Sequence, residues 1–312
     1  MIVLVAAILT GALSSGLFRD DRRPSAPLQP SRSERRPIPQ PPPPEAPAPE
    51  APAPMPDPPS EAPTPMPDPA PVPRIPEVPG PGAPLPAPSD DDPSFGIELE
   101  PQTDGSGTAF SVGRGLWMTA RHAAGDCRRV AIVTESRRVV FARETTVHPN
   151  ADLAVVRTTM AAEPVSLGGL DLRIGDIGFH FGFPHNRPGA VRSSLLGRRT
   201  MRLSGRYSTR EPILVWAEAE RRPDHDGSLE GISGGPVFDA AGQLVGVDVA
   251  GSSRRGRVYS AAPESIREMF VLIGWPPSAE GPVPELDAAN FVSVGERLRA
   301  GNVVARVACR AK

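Results

Sequence analysis

The chain of 312 residues has little lysine, few cysteines, few aromatics and only one long apolar run. Lys312 is its sole lysine, so every other basic side chain is arginine. No dense basic stripe of the kind that nucleic acid demands is present, so no nucleic-acid partner is expected. The two cysteines, Cys127 and Cys309, lack the spacing of a zinc site. The one uncharged apolar run is Ile2–Phe18. As a helix it would be roughly 26 Å long, the short limit for crossing a bilayer. Residues 1–18 therefore read as a signal peptide or a membrane anchor. The flanking charge opposes export: Arg19, Arg22 and Arg23 follow the run and no basic residue precedes it.

Proline is abundant, but in one place. Residues 24–93 hold 29 of the 42 prolines. Proline lacks the backbone N–H that helix and sheet require, so this stretch forms neither. Within it Glu50–Pro58 recurs, with one change, as Glu61–Pro69. Residues 19–93 read as a disordered spacer with a net charge of −5, which leaves +3 for residues 94–312. A spacer of this length fits between a membrane and an envelope domain. The expected location is the periplasm, either anchored to the inner membrane through the N-terminal segment or secreted.

From Gly107 onward short β-branched and apolar runs alternate with glycine-rich turns. Thr108–Val112, Leu116–Thr119, Val130–Thr134, Val139–Ala142 and Leu153–Thr158 read as strands. So do Ile177–Phe183, Val191–Leu196, Thr200–Arg206, Ile213–Ala217, Pro236–Asp239, Leu244–Val249 and Val258–Ala261. Pro263–Leu272 is the best helix candidate, with Ile266, Met269 and Phe270 at helical spacing. Many short strands at this spacing predict an all-β barrel or sandwich. The packed domain is expected over 94–280, with 281–312 as a tail packed on the first barrel.

One serine stands out. Ser233 lies in Gly231-Ile232-Ser233-Gly234-Gly235-Pro236, a turn before an apolar strand. A serine hydroxyl attacks a carbonyl only with a base in reach and N–H donors aimed at the oxyanion. His122 follows Thr119-Ala120-Arg121, and Asp152 opens Asp152-Leu153-Ala154-Val155. These blocks, in the order His, Asp, Ser, resemble the trypsin-like serine peptidases, in particular the compact bacterial HtrA-like branch. The resemblance covers roughly residues 100–270.

That resemblance implies two antiparallel six-stranded β-barrels of chymotrypsin type with the site in the cleft between them. It implies a serine endopeptidase acting on protein or peptide substrates. His122 would be the base, Asp152 its orienting acid and Ser233 the nucleophile, with the N–H groups of Gly231 and Ser233 as oxyanion hole. Substrate would lie along Val249, Ala250 and Gly251. No cofactor and no metal are implied. His225, between Asp224 and Asp226, reads as part of a specificity loop. The primary pocket is expected from the segment before Ser233, Val249–Gly251 and Val258–Ser260. About 40 residues follow position 270, too few for a PDZ domain. Ile232 stands where digestive relatives carry the aspartate that captures a freed N-terminus, so activation by cleavage is not expected. In an exported chain Cys127 and Cys309 would form a disulfide. The alternatives are an inactive peptide-binding pseudopeptidase and an envelope-spanning docking protein.

Overall fold

The structure is a computed structural model that describes residues 82–224 and 227–312. The expected signal or anchor segment and most of the proline-rich stretch lie outside the described residues. In chain order the strands are β1 (Ser94–Leu99), β2 (Gly105–Gly113), β3 (Leu116–Ala120), β4 (Arg129–Val133), β5 (Val139–Phe141), β6 (Glu144–Val147) and β7 (Leu153–Arg157). They continue as β8 (Ile177–Gly182), β9 (Gly189–Gly205), β10 (Thr209–Arg222), β11 (Pro236–Phe238), β12 (Leu244–Ser252), β13 (Arg257–Ala261) and β14 (Val304–Arg310). Three helices are α1 (Arg121–Ala124), α2 (Pro263–Leu272) and α3 (Phe291–Ala300).

The strands form two sheets of seven, in the orders β5-β4-β14-β2-β3-β7-β6 and β1-β9-β10-β13-β12-β11-β8. In the second, β8 also pairs with β9, which closes six strands into a barrel and leaves β1 appended outside. The fold is thus the expected pair of curled β-sheets, with two differences in strand count. β1 adds a parallel pairing to β9. The C-terminal β14 joins the first sheet as a full strand. It is inserted between β2 and β4, antiparallel to both. Alternation along Val303–Ala308 suits it to an interior strand. Cys309 lies opposite Val130 of β4 and is bonded to Cys127, with Cα atoms 5.5 Å apart.

Two expected strands, Val191–Leu196 and Thr200–Arg206, are one. β9 runs through Gly197 with φ of +147°, opposite a register shift between Val215 and Trp216. The glycine that looked like a strand break is a bulge. The expected helix over Pro263–Leu272 forms with those bounds, burying Ile266, Met269 and Phe270. The packed part begins earlier than residue 94. Leu85 N–H donates to Leu172 O at 2.7 Å, Ile174 N–H to Ala83 O at 2.9 Å, and Arg198 to Pro86 O at 3.1 Å. Proline's missing donor does not prevent its neighbours from bonding to a sheet edge.

The first sheet buries Phe110, Trp117 and Met118, and the second Trp216, Leu195 and Val237, all at 1% exposure or less. These cores fix the strands whose ends carry the site.

Candidate active site

His122 sits in the single turn of α1, directly after β3. Asp152 immediately precedes β7, the neighbour of β3. The sheet therefore brings the two residues together. Asp152 Oδ2 lies 2.6 Å from His122 Nδ1, and its Oδ1 accepts the His122 backbone N–H at 2.8 Å. Arg121 N–H donates to Asp152 O at 3.0 Å. The carboxylate is 2% exposed and the imidazole 23%. The acid is sealed while the ring keeps an open edge, and Nε2 has no hydrogen-bond partner among the described residues. Burial acts to lower the His122 pKa; the charge and hydrogen bond of Asp152 outweigh it, against a smaller opposing effect of Arg206. The net direction is upward.

Ser233 comes from the second sheet, on the turn before β11. Its carbonyl accepts the Thr108 N–H of β2 at 2.8 Å. A Cβ on Gly107 would lie 2.8 Å from Ser233 O and 3.0 Å from Ala123 Cβ of α1. Gly107 is thus the thin point where the nucleophile turn meets the histidine helix. Gly234 has φ of +88°, and a Cβ there would fall 2.1 Å from Thr108 O. Only glycine fits, for both reasons. Ser233 Oγ makes no hydrogen bond to His122 among the described residues. In ligand-free sites such bonds are commonly long and close when substrate binds.

The turn is held on every side. Glu230 O accepts the His185 N–H at 2.6 Å and Gly231 O the Thr108 hydroxyl at 2.8 Å. Ile232 N–H donates to Leu229 O, Gly234 N–H to Asp248 O and Gly235 N–H to Ile232 O. The N–H groups of Gly231 and Ser233 alone in this turn have no internal acceptor among the described residues. Two unengaged donors beside a serine can serve a developing oxyanion.

A cavity of about 390 Å³ opens beside Ser233. Ala250 and Gly251 line it, with Leu229, Glu230 and Arg257. Val249 does not: it is 4% exposed and falls at a register shift between β12 and β13. Nor do Val258 and Ser260, which are wholly buried, or Tyr259, whose ring packs against Phe95 at 5.1 Å. The expected pocket strand Val258–Ser260 contributes its preceding residue, Arg257. Arg222 and Asp224 line a neighbouring cavity of about 460 Å³. His225 and Asp226 lie outside the described residues.

Sequence reasoning missed Tyr207, Glu211, His180 and Asp248. Tyr207 hydroxyl donates to Asp152 Oδ1 at 2.8 Å, and Glu211 Oε1 accepts the Asp152 backbone N–H at 2.7 Å. His180 lies 2.8 Å from Asp248 Oδ1, beneath the nucleophile turn. A signal was present for one of them. Asp248 is a carboxylate inside the expected strand Leu244–Val249, and a charged residue there marks a buried partner.

No curated protein matches the chain. Among solved structures, the Rv3671c protease of M. tuberculosis in its active form is 19% identical, over 57% of this chain and 78% of that one, with a TM-score of 0.44. The HtrA-type protease AlgW with a decapeptide is 23% identical, over 54% of this chain and 51% of that one, with a TM-score of 0.44. The description of one family, the trypsin-like peptidase domain, matches residues 105–247, a span that contains His122, Asp152 and Ser233. Over residues 105–247 the chain is similar to a trypsin-like peptidase domain.

Proposed function

We propose that the protein is a serine endopeptidase whose triad is His122, Asp152 and Ser233. His122 takes the Ser233 proton as Oγ attacks the peptide carbonyl. It then returns that proton to the leaving amine, and water repeats the cycle on the acyl-enzyme. Asp152 holds the ring in one tautomer and stabilises the imidazolium without accepting the proton. Gly231 and Ser233 N–H groups receive the oxyanion, each donor worth on the order of 3 kcal/mol. Substrate lies as an extended strand beside Ala250 and Gly251 with one side chain in the adjoining cavity.

The observation that carries this reading is the 2.6 Å contact between His122 Nδ1 and Asp152 Oδ2, with the ring still 23% exposed. The Cys127–Cys309 bond supports an oxidising compartment, and with it the reading of an envelope protein, periplasmic or secreted. No helix among the described residues is long and apolar enough to cross a membrane, so any anchoring at the inner membrane falls to the N-terminal segment. The test is fluorophosphonate labelling. Wild type should label at one site and Ser233→Ala should not. Equal labelling of both would refute the assignment.

A further inference from the structure

The acid of the triad is held from both sheets. His122 and the Asp152 backbone belong to the first. The β9–β10 hairpin of the second crosses to it and delivers Tyr207 and Glu211. Asp152 Oδ1 receives two donors, the His122 N–H and the Tyr207 hydroxyl, both at 2.8 Å. Glu211 accepts the Asp152 N–H at 2.7 Å. Tyr207 is 9% exposed and Glu211 2%. The guanidinium of Arg121 lies 3.8 Å from the Tyr207 ring centre, and Arg206, next in the turn, reaches the His122 carbonyl at 3.4 Å. Arg206 also faces Asp126 at 3.8 Å.

We infer that Tyr207 and Glu211 are positioning residues for the His122–Asp152 pair, forming a clamp that completes the triad's acid only when the second sheet is docked on the first. The inference rests on the proposed triad, whose two halves come from different sheets.

The clamp has a chemical consequence. A phenol O–H donated to a carboxylate spreads its negative charge and makes it a weaker base. With this donor Asp152 orients the ring yet does not take its proton. Among the described residues Glu211 makes no ion pair. Its Oε2 is buried without a hydrogen-bond partner, and Asp152 is the charge that acts on it. Burial first, and the Asp152 charge second, push its carboxyl well above the usual range. As a neutral acid it accepts the Asp152 N–H without adding a second negative charge. The charged and titratable groups facing the pair are therefore Arg121, Arg206, Tyr207 and Glu211.

The experiment is an NMR titration of the His122 imidazole in the full chain, with kcat and KM measured alongside. Tyr207→Phe keeps the ring and its contact with Arg121, and removes only the donor. Asp152 becomes more basic, so the His122 titration should move to higher pH. The kcat should fall about tenfold with KM unchanged, the loss of one hydrogen bond to a charged group. Glu211→Gln keeps the acceptor and cannot ionise. It should leave the His122 titration where wild type has it, whereas Glu211→Ala removes the acceptor of the Asp152 N–H and should lower kcat with KM unchanged. An unmoved His122 titration in Tyr207→Phe would overturn the clamp. A large downward move in Glu211→Gln would overturn the neutral acid, since it would reveal a negative charge in wild type. The NMR readout holds whether or not Ser233 is reactive, and fluorophosphonate labelling judges the triad separately.

Discussion

The described residues hold two serine–histidine–aspartate sets with nearly the same His–Asp distance. In the cleft, Asp152 lies 2.6 Å from His122 Nδ1, and Ser233 lies on the facing turn. In the interior of the second barrel, Asp248 lies 2.8 Å from His180 Nδ1, and Ser193 Oγ lies 2.6 Å from His180 Nε2. The inner set is the more complete as a hydrogen-bond chain, yet it is no site. His180, Asp248 and Ser193 are each 0% exposed. Ser193 Oγ is within 3.3 Å of Gly178 O, so its proton has an internal acceptor. No carbonyl substrate reaches a set so fully buried. Residue types and distances alone do not make a nucleophile. An open ring edge, unengaged donors and a cavity do.

The inner set has another use. Asp248 N–H donates to Gly235 O at 2.8 Å, and Asp248 O accepts the Gly234 N–H at 2.7 Å. The buried pair therefore fixes the strand that grips the nucleophile turn. On the proposed reading one His–Asp pair is set for proton transfer, and the other for holding its neighbour in place.

The largest effect that tests this contrast is the opposite response of the two histidines. His122→Ala should lower kcat by about 10⁴-fold or more with little change in melting temperature. His180→Ala leaves Asp248 buried without its partner, a loss of about 3–5 kcal/mol. At about 2–4 °C per kcal/mol for a domain of this size, melting temperature should drop by roughly ten degrees. The residual folded protein should still label at Ser233. Thermal melts and probe labelling of both variants decide it. A His180→Ala protein of unchanged stability but no labelling would give the inner set a catalytic part and break the contrast.

Next in size is the Cys127–Cys309 bond, which closes a separation of 182 residues. It ties β14 to the loop after α1. Its removal by Cys309→Ser should cost up to about 5 kcal/mol in the chain-entropy limit. Because His122 is held mainly by β3 and β7, activity at low temperature should fall far less than stability. Limited proteolysis should release the C-terminal strand first.

The cleft set was legible in the sequence because each member sits in a local pattern of turn and strand. Gly231–Pro236 announces a tight turn, and Asp152 begins an apolar run. The pairs that hold the site were not legible. Tyr207 reaches Asp152 across 55 positions and His180 reaches Asp248 across 68. No local propensity encodes such contacts. Strand content was readable for the same reason that register was not. Alternation marks a strand, but the insertion of β14 between β2 and β4 and the parallel addition of β1 are decided by tertiary pairing. Proline content set the spacer boundary at residue 93, whereas backbone bonds carry the packed part back as far as Gly82, the first described residue.

Acidity distinguishes the sets further. Burial works against charged His122, but Asp152 wins and its pKa is raised above 6.5. The base must be neutral, so kcat/KM should fall on the acid side through that raised value. A raised pKa favours the protonated fold, so the contribution to stability is full below 6.5 and lost as pH rises through the folded value. Glu211, raised from 4.5 chiefly by burial and then by Asp152, acts in the same direction. Glu211→Gln should therefore gain stability relative to wild type as pH rises from about 4.5. Denaturant melts between pH 4 and 8 measure the difference. A constant difference across that range would mean that Glu211 is not a buried neutral acid.

The smallest effect is the most discriminating for the inner set, because it concerns one oxygen atom. Ser193→Ala removes the Oγ that faces His180 Nε2 and leaves the His180–Asp248 contact in place. Ser193 Oγ has the Gly178 carbonyl as an acceptor for its proton, an arrangement in which Nε2 donates to Oγ. Taking the acceptor away leaves a buried N–H unpaired, at about 1–3 kcal/mol. The variant should melt several degrees lower, while its kcat and its labelling at Ser233 stay at wild-type level. The ring's protons can be read directly, since an imidazolium shows two N–H resonances where a neutral ring shows one. A stability equal to wild type, with a single His180 N–H resonance, would mean that the Ser193 hydroxyl donates to a neutral ring. The inner set would then match the proton arrangement of the cleft set, and its silence would rest on burial alone.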